Sequence, residues 1–275
     1  MVVSRLGRYG IPVRSLVCGW ATRAALRRKV NARPSASPPL VVMAVYRAKN
    51  WPTMRGLIRQ VGPSADIRLW SLDEVIPELA DRTVGCGPGQ KFELLNRLVD
   101  DRSIDPAAYV VVADDDVVFG RRSLATMVDL MQRGGIGLAM PAQSAASHVS
   151  YGLNVRRPAN LATLVPFVEI GPLFVVSPEW ASRILPFPSD MAMGWGLDVR
   201  WSGLADEGCR LAIIDACPMY HCHPPGLTYD RGPERSQLGE ALAERGLKTL
   251  DEILVRRTPW RRWQRQAPWI QGEGK

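Results

Sequence analysis

Three consecutive carboxylates follow a short apolar run near the middle of the chain. Residues 109–113 read Tyr-Val-Val-Val-Ala and lead directly into Asp114, Asp115 and Asp116. Adjacent carboxylates raise one another's pKa unless a cation or hydrogen bonds compensate. In an extended chain alternate side chains share a face, so Asp114 and Asp116 point the same way. Two such carboxylates provide the hard oxygen ligands that Mg²⁺ and Mn²⁺ prefer.

The alternative interpretation of this triplet is a solvated acidic loop that binds nothing. Apolar runs lie on both sides of it, at 109–113 and 117–119, and they argue against a loose surface loop. The edge where a buried strand ends is also where open α/β sheets bind ligands. We therefore predict a divalent-cation site at the triplet.

An apolar strand that ends in Asp-x-Asp resembles the DxD motif of GT-A-fold glycosyltransferases. In that family the motif holds a divalent cation, which bridges the diphosphate of a nucleotide-sugar donor. The resemblance implies that Asp114 and Asp116 hold Mn²⁺ or Mg²⁺ and that Asp114 and Asp115 lie against the donor. Such a cation neutralises the charge that builds on the nucleoside diphosphate as it leaves.

A second match is the segment Gly194-Trp195-Gly196-Leu197-Asp198. It resembles a Gly-Trp-Gly-x-acid segment of several inverting members, in which the carboxylate deprotonates the acceptor and the tryptophan stacks on the sugar. Glycine permits close backbone approach, and a general base needs hydrogen-bond reach to the attacking oxygen. The resemblance implies Asp198 as the catalytic base, with Glu169 as an alternative. The competing interpretations are a turn with a helix-capping Asp198 and a salt bridge for Glu169.

Two of the three histidines, His221 and His223, lie close together late in the sequence. In the GT-A family a histidine after the last core strand often completes the coordination of the metal, which implies both as further ligands. The alternative is a zinc site formed by Cys217, His221, Cys222 and His223. Paired Cys-x₂₋₄-Cys spacing is missing, and adjacent residues rarely point at one ion, so zinc is disfavoured.

The remaining candidates follow from the order of the motifs. The order of the motifs in residues 40–230 is also similar to the order in an uncharacterised plant and bacterial family with a GT-A-like core. Lys91 begins a predicted helix after Gly87-Pro-Gly89, where free backbone N–H groups and a cation suit a phosphate. The resemblance assigns Tyr46, Arg47, Ser71, Asp73 and Lys91 to the donor, and Gln143, Gly171, Trp195 and Gly196 to the substrate.

From residue 40 onward short apolar runs alternate with helical stretches, a pattern typical of α/β folds. We expect a GT-A-like single domain with a mixed, mostly parallel central sheet flanked by helices. The predicted strands are 40–45, 66–71, 109–113, 136–140, 170–177 and 211–215, and the predicted helices are 51–61, 91–101 and 238–255. The predicted boundaries are a basic arm and linker at 1–39, the domain at 40–235 with its donor half at about 40–120, and a helical, Trp-rich tail at 236–275.

The net charge of +8 over 275 residues is unevenly distributed. Residues 1–39 carry +8 and residues 245–275 carry 8 − 3 = +5, which leaves −5 for residues 40–244. An acidic body disfavours a nucleic-acid-binding core, and the average composition excludes collagen-like, coiled-coil and wholly disordered chains. The basic ends, with an amphipathic helix at about 15–30, favour peripheral binding to an anionic membrane, with solvated tails as the alternative.

The five cysteines form an odd number without CxxC spacing, which favours a reduced, cytoplasmic environment. Together these features predict a divalent-metal-dependent glycosyltransferase that moves a sugar from a nucleotide-sugar donor to a glycan, lipid or other small acceptor, with inversion. The alternatives are a metal-dependent nucleotidyltransferase or phosphodiesterase and a non-enzymatic, basic nucleic-acid-binding protein.

Overall fold

The computed structural model describes residues 38–120, 123–191, 193–224 and 232–270, and the statements below refer to these residues. The amphipathic helix expected at 15–30 lies outside them. The strands are β1 Leu40–Tyr46, β2 Asp66–Ser71, β3 Thr83–Cys86, β4 Tyr109–Asp114, β5 Val117–Phe119, β6 Leu138–Gln143, β7 Asn160–Leu164, β8 Leu173–Val176, β9 Leu211–His221 and β10 Pro259–Arg261. The helices are α1 Trp51–Val61, α2 Lys91–Asp100, α3 Ser123–Gly134, α4 Pro178–Ile184, α5 Leu197–Trp201 and α6 Gly232–Glu244.

All ten strands described belong to one sheet, in the order β10-β7-β9-β6-β8-β4-β1-β2-β3, with β5 paired to β9. The strands β1 to β4 run parallel to one another, and β6 runs parallel to β9. The strand β8 is antiparallel to both β4 and β6 and joins these two parallel regions. The predicted α/β class with a mixed, mostly parallel sheet is therefore confirmed.

The helices follow from the spacing of their apolar residues. In α1 the buried residues Met54, Leu57 and Val61 recur on one face, and Gly62, with φ 78°, ends the helix. In α2 the same pattern buries Phe92 and Leu95, which fixes the orientation of the helix against the sheet. The first residue of α2 therefore lies close to the strand ends that carry the predicted site.

Most predicted elements are present, and the differences lie in the second half of the chain. The strand predicted at 211–215 continues to His221, because β9 pairs first with β6 and β7 and then with β5. The helix predicted at 238–255 is α6, which spans Gly232–Glu244. The short strands β3, β5, β7 and β10 were not predicted, since three to five residues carry little periodic signal.

The segment after residue 235 is integrated into this fold. Helix α6 packs on α5, and β10 pairs with β7 at the edge of the sheet. Trp260 is fully buried, and its ring centroid lies 6.1 Å from that of Trp269, whereas Trp263 is 70% exposed. The segment predicted to be a separate tail at 236–275 thus contributes residues to the core of the domain, and part of its apolar surface is buried.

A buried ion pair ties this C-terminal segment to β9. Asp215, which is fully buried, lies 3.0 Å from Nη1 of Arg256. It also accepts hydrogen bonds from the Thr163 hydroxyl at 2.7 Å and from the Arg157 backbone N–H at 2.6 Å. The carboxylate is therefore fully compensated, as a buried charge has to be.

Among the described residues, no helix is long and apolar enough to cross a membrane. The four cysteines in this part of the chain, Cys86, Cys209, Cys217 and Cys222, are unpaired.

Candidate metal centre

The ends of three neighbouring strands meet at one edge of the sheet. Tyr46 at the end of β1 pairs with Ser71 of β2, and Val45 pairs with Asp114 of β4. Beyond β2, the N–H of Leu72 donates to the carbonyl of Tyr46 at 2.8 Å. The acidic triplet therefore begins at the carboxyl edge of a parallel region, where backbone geometry brings loops together.

The chain turns back after the triplet and brings β9 alongside it. Val117 of β5 pairs with His221, and the N–H of Cys222 donates to the carbonyl of Asp116 at 3.0 Å. Carboxylate oxygens of Asp114 and Asp116 and a ring nitrogen of His221 all lie within 4.8 Å of one another. We call these three residues the metal group, because carboxylates and one imidazole form a donor set that suits Mn²⁺ or Mg²⁺.

Among the described residues this is the only group of three or more such side chains close enough to hold an ion. Cys217 is fully buried and Cys222 is not part of the group, so the alternative zinc site is not formed. The fold thus brings His221 next to Asp114 and Asp116, from which it is more than 100 positions away in the sequence.

Both histidines contact the carboxylate of Asp116. His221 Nε2 lies 3.3 Å from Asp116 Oδ2, and His223 Nδ1 lies 3.0 Å from the same oxygen, to which the His223 N–H also donates. Burial works against ionisation, but these hydrogen bonds outweigh it and lower the pKa of Asp116. Burial likewise disfavours the charged form of His221, but Asp116 outweighs it and raises the pKa of the imidazole. His223 is more exposed and lies outside the metal group, so its role as a ligand stays a prediction.

Asp114 is approached by a cation and by a glycine. Lys91 Nζ lies 2.5 Å from Asp114 Oδ1, and the N–H of Asp114 donates to the carbonyl of Pro172 at 2.7 Å. A Cβ at Gly171 would lie 3.2 Å from Asp114 Oδ2 and 3.7 Å from Lys91 Nζ. The absence of a side chain at Gly171 therefore lets this segment pass directly beside the metal group.

Asp115 has a different environment from its two neighbours. Its carboxylate accepts a hydrogen bond from the N–H of Arg47 at 2.7 Å and another from the side chain of Asn50. Burial raises the pKa of Asp115, and the charges of Asp114 and Asp116 add to this effect. Its carboxylate thus holds the loop that follows β1, and a contact with the donor stays a prediction.

Two of the predicted donor contacts are wrong. The side chains of Tyr46 and Ser71 are fully buried, and Tyr46 Oη lies 3.2 Å from Thr83 Oγ1 while the Ser71 hydroxyl donates to the carbonyl of Glu74. The sequence locates the strand ends correctly, but the pleat turns these two side chains into the interior. Asp73 is exposed and accepts the Ala48 N–H at 2.9 Å. The predicted roles of Arg47 and Asp73 therefore stay open.

The two glycines around Trp195 are required by packing. Gly194 and Gly196 have φ of 87° and 88°, and a Cβ at these positions would lie 2.2 Å from Phe92 and 2.9 Å from Ala241. Gly196 packs against α6, and its role in substrate binding stays a prediction. Trp195 itself is half-buried between them.

Asp198 lies in the first turn of α5 and is almost entirely buried. It accepts the N–H of Val199 at 2.9 Å. Burial raises the pKa of Asp198 to about 7, and the hydrogen bond from Val199 opposes this effect. The N-cap of α5 is Gly196 and makes no side-chain cap hydrogen bond, so Asp198 is not the cap, and its role as the base stays a prediction.

Glu169 is only partly exposed, and its Oε2 accepts hydrogen bonds from Asn154 Nδ2 at 2.6 Å and Gln143 Nε2 at 3.4 Å. Burial raises the pKa of Glu169 to about 8; Asp198 and Asp114 add to the effect, whereas the Ser150 hydroxyl and His221 oppose it. The predicted substrate contact of Gln143 is wrong, because its side chain is fully buried beneath Glu169.

Neither Asn154 nor Tyr151 was predicted to have a role in the site. Burial and the charges of Asp198 and Glu169 raise the pKa of the Tyr151 hydroxyl. Its ring stacks edge-on against Phe167 at 5.2 Å. Neither residue belongs to a motif, so only the fold brings them to the site.

No protein-family model and no curated protein matches the chain. It is similar in structure to GalNAc-T7, solved with UDP, GalNAc and Mn²⁺, with a TM-score of 0.56 and 10% identity over 88% of this chain and 59% of that chain. It is also similar to TarS 1-349 of S. aureus in complex with UDP-GlcNAc, with a TM-score of 0.52 and 11% identity over 75% and 66% of the two chains. The chain thus spans three fifths to two thirds of these proteins, and the likeness shows that it has the GT-A fold.

Proposed function

We propose that the protein is a divalent-metal-dependent glycosyltransferase that moves a sugar from a nucleotide-sugar donor to an acceptor hydroxyl. The observation that carries the proposal is the metal group at the carboxyl edge of a GT-A sheet. Two structures with this fold hold UDP with Mn²⁺ and UDP-GlcNAc. Uridine diphosphate sugars are therefore the first donors to test.

Asp114, Asp116 and His221 would hold Mn²⁺ or Mg²⁺, whose chemical contribution is to neutralise the diphosphate of the donor. Lys91 supports this assignment, because it brings a cation to within 2.5 Å of Asp114 on the side where the phosphates would lie. Its position at the first residue of α2 adds free backbone N–H groups that favour an anion. The chain itself thus supplies positive charge beside the proposed metal.

The transfer step needs one general base. The acceptor hydroxyl gives its proton to Asp198 or Glu169, and its oxygen bonds to the anomeric carbon. The bond from that carbon to the diphosphate breaks, and its electron pair leaves with the nucleoside diphosphate. A direct displacement of this kind inverts the anomeric configuration. Both carboxyls have a pKa raised towards neutrality by burial, where a general base is most effective.

The alternative chemistry is cleavage of the phosphate chain, as in nucleotidyltransferases and phosphodiesterases, which often use two metal ions about 4 Å apart. The described residues form one metal group, which favours transfer of the sugar. The products discriminate between the two: sugar transfer or donor hydrolysis releases UDP, whereas cleavage of the phosphate chain releases UMP.

The test is a panel of nucleoside diphosphates and nucleotide sugars, each added to the full chain with Mn²⁺ or with EDTA. We expect thermal stabilisation that requires both nucleotide and metal, and release of UDP from UDP-GlcNAc or UDP-GalNAc. Full activity in EDTA would refute the metal assignment, and UMP as the product would refute glycosyl transfer.

The basic arm at 1–39, with a charge of +8, supports association with anionic membrane surfaces. The intact chain should co-sediment with vesicles of phosphatidylcholine and phosphatidylserine. A chain without residues 1–39 should not co-sediment with them. Equal sedimentation of the two chains would contradict this role.

A further inference from the structure

Two buried amides converge on a single oxygen of Glu169. Asn154 Nδ2 donates to Glu169 Oε2 at 2.6 Å, and Gln143 Nε2 donates to the same oxygen at 3.4 Å. Both amide side chains are fully buried, whereas Glu169 is partly exposed and also meets the hydroxyl of the exposed Ser150. We call Gln143 and Asn154 the amide cradle. It contacts Glu169 from the buried side, while Glu169 itself is partly exposed.

The amide cradle is arranged for Glu169 at the expense of its own hydrogen bonds. Gln143 Oε1 and Asn154 Oδ1 are buried and have no hydrogen-bond partner among the described residues. A buried polar atom without a hydrogen-bond partner destabilises the folded state. Rotating either amide would direct its oxygen at Glu169 Oε2 and repel an ionised carboxylate. The arrangement therefore favours an ionised Glu169, and buried orphan atoms of this kind in a native fold call for a functional reason.

The backbone holds both members of the amide cradle in place. Gln143 is the last residue of β6 and pairs with Met219 of β9. His221 lies two residues after Met219 on the same strand. Asn154 belongs to a short 3-10 turn, Gly152–Asn154. On either side of Asn154, Arg256 donates to the carbonyls of Leu153 and Val155, each at 2.8 Å.

The segment that carries Glu169 continues to the metal group. The carbonyl of Ile170 accepts a hydrogen bond from Lys91 Nζ at 3.5 Å, and Gly171 lies against Asp114. A proton acceptor at Glu169 is therefore two residues away from the backbone that touches the proposed leaving-group site. Asp198 differs, since it is more deeply buried and its hydrogen bond comes from the backbone of its own helix.

We infer that Glu169, rather than Asp198, takes the proton from the acceptor hydroxyl, and that Asn154 and Gln143 are positioning residues that fix one oxygen and leave the other for the acceptor. This inference rests on the proposed glycosyl transfer. The proton moves from the hydroxyl to Glu169, the new bond forms at the anomeric carbon, and the electron pair of the broken bond leaves with the diphosphate.

The experiment compares the full chain with its variants E169Q, D198N and N154A. UDP binding with Mn²⁺ is measured by calorimetry, and UDP release from UDP-GlcNAc and UDP-GalNAc gives kcat and KM. We expect E169Q to bind UDP with a Kd within about twofold of the unaltered chain and to lose about 100-fold or more in kcat, the range of general-base catalysis. D198N should lose less than E169Q, and N154A about tenfold in kcat at constant KM.

Asn160 provides the matched control for Asn154. It is also buried, and its side chain donates to Thr163 Oγ1 at 2.9 Å and accepts from Arg261 at 2.8 Å, without contact to Glu169. N160A should lower the melting temperature and leave kcat unchanged. If N154A proves too unstable to purify, N154S retains a shorter donor and should have an intermediate kcat.

The pH profile separates positioning from stability. The hydrogen bond from Asn154 favours the ionised form of the Glu169 carboxylate. Its removal in N154A should therefore move the acidic limb of the kcat profile to higher pH. The other charged groups near Glu169, which are Asp198, Asp114 and His221, are unaltered in this variant. N160A should keep the original profile. Undiminished turnover in E169Q, a larger loss in D198N, or identical behaviour of N154A and N160A would overturn the inference. A chain that neither binds UDP with Mn²⁺ nor releases it would refute the proposed function itself, and this inference with it.

Discussion

Strand β9 carries two charged groups with opposite surroundings. In its middle, the fully buried Asp215 is matched by Arg256, Thr163 and a backbone N–H. At its end, His221 adjoins Asp114 and Asp116, and ligand atoms of all three lie within 4.8 Å of one another. A closed, balanced group stabilises the fold, whereas a group with excess carboxylate charge, which we call the open group, favours the binding of a cation.

The two groups also differ in what they require from the rest of the chain. Asp215 has one cationic partner, Arg256, and its carboxylate is satisfied without a ligand. The metal group is assembled from β4, the turn after it and β9, and its charge is only partly offset by Lys91 and the histidines. Substitutions should therefore affect activity at one end of β9 and stability in its middle.

The largest effect is expected at the open group. Asp116→Ala removes a metal ligand and should reduce UDP release roughly 1,000-fold or more, because charge on the leaving group is no longer neutralised. Circular dichroism should show an unchanged fold. Asp129→Ala, which removes an exposed carboxylate paired with Arg133 on α3, serves as the control and should keep full activity. Comparable activity in Asp116→Ala and Asp129→Ala would show that the metal group is not required for activity.

Removal of the partner in the closed group should act on stability. Arg256→Ala leaves Asp215 buried and unpaired, and we expect a loss of about 3–5 kcal/mol in the free energy of unfolding. Urea denaturation measures this loss. Arg257→Ala, at an exposed neighbour, should change the midpoint little. A loss below about 1 kcal/mol in Arg256→Ala would contradict the structural role of the pair.

Metal binding should stabilise only through the open group. At a Mn²⁺ concentration of 100 times its Kd, binding to the folded state contributes about 2.7 kcal/mol, which EDTA reverses. Differential scanning calorimetry of the unaltered chain should show this increase, and Asp116→Ala should not. Stabilisation of equal size in Asp116→Ala would place the cation elsewhere.

A further effect concerns Glu169 and the pH dependence of stability. Its folded pKa of about 8 lies above the ordinary value of about 4.3. Between these values the folded chain retains a proton that the unfolded chain has lost, so stability falls as pH rises. In EDTA, the melting temperature of the unaltered chain should fall relative to that of Glu169→Gln between pH 5 and pH 8. Parallel curves would mean that Glu169 is ionised throughout.

The sequence was sufficient for features encoded by neighbouring residues. The apolar run before Asp114 predicts the strand, but Asp115 and Asp116 lie in a turn, so this turn and not the alternation of strand side chains brings the carboxylates of Asp114 and Asp116 together. His221 was found because histidines are rare in this chain. The burial of Tyr46 and Ser71 was missed, because the direction in which a strand-end side chain points depends on packing of the sheet against its helices.

The amide cradle could not be predicted, for a different physical reason. Gln143 and Asn154 are 26 and 15 residues from Glu169, and strand register brings them together. Amide residues in loops are common and carry no spacing signal. Arg256 was likewise interpreted as part of a basic tail, although a partner 41 residues away determines its role.

The position of Arg256 has a consequence for the synthesis of the chain. During translation the parallel strands β1 to β4 emerge first, and they can pair with one another at once. Asp215 and the edge of the sheet at β7 have partners that are synthesised later, namely Arg256 and β10. Since domains are completed only when their last contacts can form, Asp215 stays without its cationic partner until Arg256 has emerged from the ribosome, and the edge of the sheet at β7 stays open until β10 has emerged.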